Sequence, residues 1–358
     1  MEAKATTIYQ HLISDRTHFH TLPQPLPLES GEHLFEVRVA YRTWGRLNAN
    51  RDNAIVICHA LTGNADADTW WEPLFGEGRT FDPDSHFIIC SNVLGSCYGT
   101  TGATDIDPLT GKPYAATFPQ ITVRDMVRVQ AQLLEFLGVE SIESVIGGSL
   151  GGMQVLEWGV MYPDRVRSLA VIAASGRHSA WCIGLSEAQR QAIYTDPHWC
   201  DGLYTRDRSP RQGLATARMM AMSTYRSHQS FALRFERSPA QPNNLEIVNY
   251  LHYHGDKFID RFDANTYIRL TQAMDSHDLG WQRGAYTAVL EKISIPALIV
   301  AIDSDILYPP SEQQELANFM PRAEFQWLRS HHGHDAFLID MEQLNDLILR
   351  SEIRSKLI

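Results

Sequence analysis

Long apolar segments are absent from this 358-residue chain: no apolar run approaches the roughly 18–20 residues that cross a lipid bilayer. Residues 1–27 are polar and contain histidine, and they lack the apolar segment of a secretory signal peptide. These absences predict a cytoplasmic protein for which a membrane is not a partner.

Cysteine and positive charge are also scarce. The five cysteines are odd in number and form no C-x-x-C pair, which favours free thiols in a reducing compartment over a disulfide framework. The 31 lysines and arginines are outnumbered by 42 acidic residues, which gives a formal charge of −11 without a long basic block. This balance argues against nucleic acid as a partner.

The chain does contain short runs rich in valine and isoleucine, each closed by turn residues. They show little alternation, which is typical of parallel strands covered on both faces. Residues 35–45 alternate better and predict an antiparallel edge hairpin element. The other runs are 54–58, 86–93, 144–147, 168–174, 296–302 and 324–328.

Helical patterns lie between these runs, over 122–138, 152–163 and 335–350. Strands that alternate with helices form right-handed βαβ units. The sequence therefore predicts an α/β fold with a mostly parallel central sheet.

The alternation of strands and helices stops in the middle of the chain, where only helical patterns occur. We therefore predict a core formed by residues 1–176 and 286–358, with a helical lid insertion over 177–285. A second independent domain is the alternative, but the strand pattern returns after the insertion with only two strands left to place.

Four glycines surround one serine in the stretch GGSLGG, residues 147–152, between an apolar run and a helical pattern. The spacing fits neither a dinucleotide fingerprint nor the Walker pattern, and no lysine follows. It fits the G-x-S-x-G elbow, in which a serine occupies a tight strand-to-helix turn and small neighbours avoid a clash. Ser149 is therefore the candidate nucleophile, and a plain packing turn is the alternative.

A nucleophilic serine needs a base and a group that orients the base, and in this type of fold an acidic residue and then a histidine follow the serine. The last two apolar runs are followed by Asp303 and Asp305 and by His331, His332 and His334. The residues alone leave both choices open. The pieces HHGHD and HYHGD lack the spacings of zinc sites, so no metal is predicted.

The developing oxyanion of an acyl transfer also needs backbone N–H donors. In a serine elbow one donor is the residue after the nucleophile, here Leu150, and another comes from the loop after an early strand. The piece HALTG, residues 59–63, follows such a strand and offers the N–H of Leu61. A structural turn is the alternative interpretation of this loop.

Six pieces of the sequence form a recognisable set: HALTG, GSCYGTTG (95–102), GGSLGGMQVLEW (147–158), GLATARMMAMSTYRS (213–227), SDILYPP (304–310) and GHDAFL (333–338). Together they resemble the homoserine O-acyltransferase family of the α/β-hydrolase superfamily, in particular the homoserine O-acetyltransferases of methionine biosynthesis. The resemblance covers most of the chain and implies an α/β-hydrolase fold with an inserted helical lid.

The resemblance implies which residues carry the chemistry. The family nucleophile falls on Ser149, the family aspartate on Asp305 rather than Asp303, and the family histidine on His334. These three residues are therefore expected to form a catalytic triad.

The resemblance also implies three residues that bind the amino-acid acceptor, Arg218, Tyr225 and Asp335. Thr62 is a further candidate for substrate binding. Homoserine carries a carboxylate, which the Arg218 guanidinium can bind with two hydrogen bonds, and an ammonium, which Asp335 can pair. Arg218 and Tyr225 are seven residues apart and share a helix face. A salt bridge within the lid is the alternative role for Arg218.

The reaction that the resemblance implies is ping-pong transfer of an acetyl group from acetyl-CoA to L-homoserine, without a permanently bound cofactor. Alternatives are succinyl-CoA as donor, serine as acceptor, or a simple serine esterase. The family resemblance further implies a homodimer built through the lid helices.

Overall fold

The computed structural model describes residues 12–235 and 245–353. Part of the polar stretch 1–27, for which no signal peptide is predicted, lies outside these residues. The described strands are β1 (His18–Thr21), β2 (Leu26–Pro27), β3 (His33–Leu34), β4 (Arg38–Trp44), β5 (Ala54–Cys58), β6 (Phe87–Ser91), β7 (Ile142–Gly148), β8 (Leu169–Ile172), β9 (Ala297–Ile302) and β10 (Ala323–Leu328).

The α-helices lie mainly between the later strands. In chain order they are α1 (Ala67–Trp70), α2 (Val123–Phe136), α3 (Leu150–Met161), α4 (Ala180–Tyr194), α5 (Arg211–Tyr225), α6 (His228–Arg234), α7 (Glu246–Ile259), α8 (Ala264–Asp275), α9 (Tyr286–Leu290), α10 (Pro310–Phe319) and α11 (Met341–Arg350).

Eight strands form one sheet in the order β1-β4-β6-β5-β7-β8-β9-β10. Strands β1 and β4 are antiparallel to their neighbours, and the pairs from β6 to β10 are parallel. The predicted mostly parallel sheet is confirmed. Strand β4 is antiparallel as predicted, but the prediction of an edge position is wrong because β1 covers its outer side.

Both faces of the sheet are covered, which explains the weak alternation of its strands. In β5, Ile55 and Ile57 belong to the core on one face, while Val56 and Cys58 belong to the core on the other. All six apolar runs predicted as strands are strands in the structure. Apolar residues at every position are favoured because each side chain of such a strand leaves water.

The prediction of one continuous helix over 335–350 is wrong, because the structure has two separate helices in this region. Residues Gly333–Leu338 form a 3₁₀ helix, and α11 begins only at Met341. The indole N–H of Trp71 donates to the Phe337 carbonyl at 2.9 Å. That carbonyl is the one that a continuous α-helix would use for the N–H of residue 341.

Helices α4 to α8 follow one another between β8 and β9, within the segment predicted as an insertion. Residues 236–244 of this segment lie outside the described residues. The division of the chain into a core and a lid stays a prediction.

The order of the central strands predicts a crevice at the carboxyl ends of the strands. Strand β5 has β6 on one side and β7 on the other, so the chain changes direction across the sheet at β5. In open α/β sheets, ligands bind beyond the carboxyl ends of the strands at such a point. The loop 59–63 follows β5 and Ser149 follows β7, so both lie at this crevice.

Candidate active site

Ser149 occupies the sharp turn between β7 and α3. Its backbone adopts φ 58° and ψ −124°, which is strained for a residue with a side chain. The Ser149 N–H donates to the Ile172 carbonyl at 3.0 Å, and the Ser149 carbonyl accepts from the Met153 N–H at 3.1 Å. These bonds hold a buried serine at the N-terminus of α3, where the helix dipole favours negative charge.

The glycines beside Ser149 allow the backbone segments to approach closely. A Cβ on Gly151 would lie 2.0 Å from the Cys58 carbonyl oxygen at the end of β5. A Cβ on Gly152 would lie 2.7 Å from the Cβ of Ala174, after β8. The glycines therefore serve close packing around the serine turn.

A substitution tests this packing. Gly151→Ala is expected to lower the free energy of unfolding by about 1–3 kcal/mol or more, because its methyl group meets a backbone carbonyl that cannot move aside. Gly184→Ala in α4 is the matched control, since nothing lies within 4 Å of its added Cβ. Alanine is favoured there by about 0.5–1 kcal/mol. Urea unfolding of both variants measures the difference, and equal stabilities would contradict the packing.

His334 and Asp305 form a buried pair after β10 and β9. The Nδ1 atom of His334 lies 2.7 Å from Oδ2 of Asp305. The other carboxylate oxygen, Oδ1, accepts hydrogen bonds from the N–H groups of Leu307 at 2.8 Å and Tyr308 at 3.0 Å. Both carboxylate oxygens therefore have defined partners, and the carboxylate fixes the orientation of the imidazole.

The acidic and histidine candidates that are not part of this pair contact other residues. Asp303 accepts from the Ser330 N–H at 2.9 Å, and its side chain is partly exposed. The carbonyl of His331 accepts from the Ser227 hydroxyl, and Nδ1 of His332 lies 3.4 Å from Arg226. The structure therefore brings together Asp305 and His334, the pair that the residues alone did not select.

The protonation of His334 reflects two opposing effects. Burial alone would lower the pKa of this imidazole, but the charge and hydrogen bond of Asp305, with a contribution from Asp335, raise the pKa above its usual 6.5. The buried carboxylate therefore stabilises an imidazolium at this position.

Phe337 links the serine turn to this pair. Its ring lies 5.6 Å from the His334 ring, measured between centroids, and a Cβ on Gly148 would lie 2.8 Å from the same phenyl group. Gly148 precedes Ser149 directly. The serine turn and the imidazole therefore pack against one aromatic side chain.

The loop after β5 is held in place by the buried side chain of His59. Nδ1 of His59 lies 2.8 Å from the Ala60 carbonyl, and Nε2 accepts from the Val93 N–H at 3.0 Å. Burial lowers the pKa of His59 to about 4, so the ring is neutral and its Nδ1 carries the proton. Both Leu61 in this loop and Leu150 after Ser149 are buried.

A cavity of about 380 Å³ opens beside the serine turn. It is bounded by the loop after β5, by two tryptophans and by two arginines from the helical segment. Among its lining residues are Thr62, Trp70, Trp71, Gly148, Arg218, Arg261 and Phe337.

Arg218 lines this cavity, and its guanidinium lies over the Phe258 ring at 5.1 Å. Its Nη1 is buried and makes no hydrogen bond, and none of residues 12–235 and 245–353 forms an ion pair with it. It lies over the Tyr225 ring at 5.5 Å, which confirms that the two residues share a helix face. The Tyr225 ring is 5.8 Å from the His334 ring. Within the described chain, the alternative role as a lid salt bridge finds no partner.

Asp335 lies beside His334 and faces a different arginine. Its Oδ2 is 3.4 Å from Nε of Arg226, in α5's C-terminal cap position. Burial raises the pKa of Asp335, and the charges of Arg226, His334 and Arg218 oppose this rise. Among the described residues, the ion-pair partner of Asp335 is therefore Arg226 and not Arg218.

Sequence reasoning missed several residues at this site. Arg226 and Arg261 stand outside the spacing that singled out Arg218, and only the fold brings them to the crevice. Trp70 and Trp71 line the cavity, although the sequence assigned no role to either residue. The only signal in the sequence for a role of these residues was the pair of adjacent tryptophans shortly after Asp66 and Asp68.

Among the described residues, no group of three or more His, Cys, Asp or Glu side chains could hold a metal ion. No α-helix in the same part of the chain is both long and apolar enough to span a bilayer.

The chain resembles known proteins over almost its whole length. Residues 53–340 match the model of the alpha/beta hydrolase fold. The homoserine O-acetyltransferase of Nostoc punctiforme is 63% identical over 346 residues, which cover 95% of this chain and 97% of that protein.

Two solved structures show the same architecture. Esterase E22 is 26% identical with a TM-score of 0.84, and the match covers 96% of this chain and 99% of the esterase. The homoserine O-acetyltransferase from Bacillus anthracis is 24% identical with a TM-score of 0.87, over 95% and 97% of the two chains. The fold is therefore shared by an acyltransferase and by an esterase.

Proposed function

Because the chain belongs to the homoserine O-acetyltransferase family of the α/β-hydrolase fold, we propose that it transfers an acetyl group from acetyl-CoA to the hydroxyl of L-homoserine. The observation that carries this proposal is Arg218, which lines a cavity beside the serine turn and whose buried Nη1 has no hydrogen-bond partner among the described residues. A cation in that position suits the carboxylate of an amino-acid acceptor.

In the first half of the reaction, Ser149 attacks the thioester carbonyl of acetyl-CoA while His334 takes the serine proton. Asp305 holds the imidazole in the required tautomer and stabilises its charged form. The N–H groups of Leu61 and Leu150 donate to the oxyanion. CoA then leaves as the thiol after protonation by His334, and the acetyl group remains on Ser149.

In the second half, homoserine enters the cavity with its carboxylate on Arg218 and its ammonium near Asp335. Tyr225 packs between Arg218 and His334, and Thr62 lines the same cavity. His334 removes the proton of the homoserine hydroxyl, which attacks the acetyl carbonyl of Ser149. O-acetyl-L-homoserine leaves, and the free serine is restored.

The experiment that tests the reaction follows release of the CoA thiol. Acetyl-CoA or succinyl-CoA is combined with homoserine, serine or water as the acceptor. We expect the highest kcat/KM with acetyl-CoA and homoserine. Faster release with succinyl-CoA or with serine would overturn the proposed donor or acceptor.

A serine esterase is the second candidate, because esterase E22 shares the fold over nearly the whole chain. An esterase would use water as the acceptor and would not need the Arg218 guanidinium, whose Nη1 makes no hydrogen bond with a described residue. Release of CoA that does not depend on homoserine would favour this candidate.

Arg218→Met is expected to raise the KM for homoserine by about 100-fold, because charge-assisted hydrogen bonds worth about 1.5–3 kcal/mol each are lost. Formation of the acetyl-enzyme from acetyl-CoA should remain unchanged. Arg234→Met is the matched control, since Arg234 is exposed and lies over the Tyr250 ring at 5.0 Å. If the KM for homoserine stays the same in Arg218→Met, the guanidinium does not bind the acceptor.

A homodimer in the cytoplasm belongs to the same proposal. Leu233, Val248 and Tyr253 on α6 and α7 are 67%, 41% and 59% exposed, and such apolar side chains favour burial between two subunits. The five cysteines form no disulfide, as is usual in a reducing compartment. Light scattering would measure the mass in solution, and a monomer at micromolar concentration would contradict the dimer.

A further inference from the structure

The backbone of Arg261 is held rigidly within the helical segment, the part of the chain that contains α4 to α8. It lies in the junction between α7 and α8, and its N–H donates to the Phe258 carbonyl at 3.0 Å. Phe258 and Phe262 on either side of it are each 1% exposed. The side chain of Asp263 then caps α8 by accepting from the Thr266 N–H at 2.8 Å. The backbone that carries this guanidinium is therefore fixed.

The Arg261 guanidinium reaches from this junction to the loop after β5. Its Nη1 donates to the Thr62 carbonyl at 3.0 Å and to the Tyr98 hydroxyl at 2.9 Å. Its Nη2 lies 3.4 Å from the Thr62 hydroxyl. Burial raises the pKa of Tyr98 to about 12, so this phenol is neutral and its oxygen can accept. Tyr98 is in turn anchored through its carbonyl, which accepts from the Asn92 amide at 2.9 Å.

The same loop is held on its other side by the core of the sheet. The His59 ring accepts from the Val93 N–H at 3.0 Å, and the Gln154 amide donates to the His59 carbonyl at 3.3 Å. Leu61 therefore stands between a residue fixed by the core, His59, and a residue fixed by the helical segment, Thr62. The direction of the Leu61 N–H depends on both attachments.

We propose that Arg261 is a positioning residue that aims the Leu61 N–H at the oxyanion, an inference that rests on the function proposed above. Donors to an oxyanion act only when they are held in place before the reaction, because their advantage over water is that they need not reorganise. Arg261 supplies this rigidity through its hydrogen bonds to Thr62 and Tyr98.

Arg261 and Arg218 line the same cavity, but their guanidinium groups differ in their hydrogen-bond partners. The buried Nη1 of Arg218 makes no hydrogen bond with a described residue, whereas Nη1 of Arg261 donates to two protein oxygens. The first arrangement suits a ligand carboxylate, and the second suits a fixed backbone. Loss of Arg261 should therefore affect acylation of the serine, before homoserine takes part.

The test measures formation of the acetyl-enzyme in Arg261→Met. Acetyl-CoA is mixed rapidly with the protein in the absence of homoserine, and the burst of CoA thiol is recorded. We expect the rate constant of the burst to fall about 10- to 100-fold, the range for a displaced catalytic donor, while its amplitude is retained. The KM for homoserine in steady state should change less than about threefold. Arg261→Lys, which offers one ammonium for two acceptors, should lie between this variant and the unmodified protein.

Arg211→Met is the matched control, because Arg211 pairs with Asp260 next to Arg261 and both side chains are exposed. Its burst should equal that of the unmodified protein. A reduced amplitude with an unchanged rate constant in Arg261→Met would show a loss of folded protein only, and a raised KM for homoserine with normal acylation would show a substrate ligand. Either result overturns the inference. Absence of any burst in the unmodified protein would instead overturn the proposed function.

Discussion

Ser149→Ala is expected to lower kcat for acetyl transfer by about 10⁴- to 10⁶-fold, the scale at which other triad enzymes lose activity without their serine. The acetyl group then has no hydroxyl to carry it, so the burst of CoA thiol should disappear as well. The substitution removes only one oxygen from a buried turn whose hydrogen bonds are made by backbone atoms. We therefore expect the folded structure to persist.

Strand β7 offers a matched control for this experiment. Ser144 lies within β7 and is buried like Ser149, and its hydroxyl makes no hydrogen bond with a described residue. Ser144→Ala should retain nearly full kcat. If Ser149→Ala kept more than about a tenth of the activity, the acetyl-enzyme mechanism would be wrong.

Asp305→Asn is expected to lower kcat by about 10⁴-fold, because the substitution changes the tautomer of His334. The N–H groups of Leu307 and Tyr308 both donate to Oδ1 of Asp305. An asparagine must place its carbonyl oxygen there, because its NH₂ group would face two donors. The NH₂ group then donates to Nδ1 of His334, and the imidazole proton moves to Nε2. In that tautomer Nε2 cannot take a proton from Ser149.

The pH dependence separates this effect from a general loss of structure. In the unmodified protein the raised pKa of His334 makes kcat/KM fall with decreasing pH, as the imidazole becomes charged and stops acting as a base. In Asp305→Asn the carboxylate is absent, so the apparent pKa of this fall should move downward. Asp303→Asn is the control, because Asp303 is partly exposed and bonds to Ser330. An identical pH profile in Asp305→Asn would contradict the assigned pair.

Two features of the fold could be predicted because local sequence encodes them directly. The buried parallel strands produce uninterrupted apolar runs, and the serine turn requires glycines at fixed offsets. Nothing in the local sequence predicted the break between Leu338 and Met341, where the Phe337 carbonyl accepts from the indole of Trp71, a residue remote in sequence. A hydrogen bond from a distant residue leaves no periodic pattern.

The sequence by itself determined the class of fold, the serine turn and two short clusters that contained the acid and the base. It could not choose Asp305 and His334 on physical grounds, because neighbouring residues of the same type have the same intrinsic chemistry. Only the tertiary structure made that choice, by turning one imidazole nitrogen to 2.7 Å from one carboxylate. It also decided what each arginine contacts: Nη1 of Arg218 has no hydrogen-bond partner among the described residues, and Arg261 donates to the loop that contains Leu61. These differences arise because the burial and the partners of a side chain are set by segments that meet only when the chain is folded.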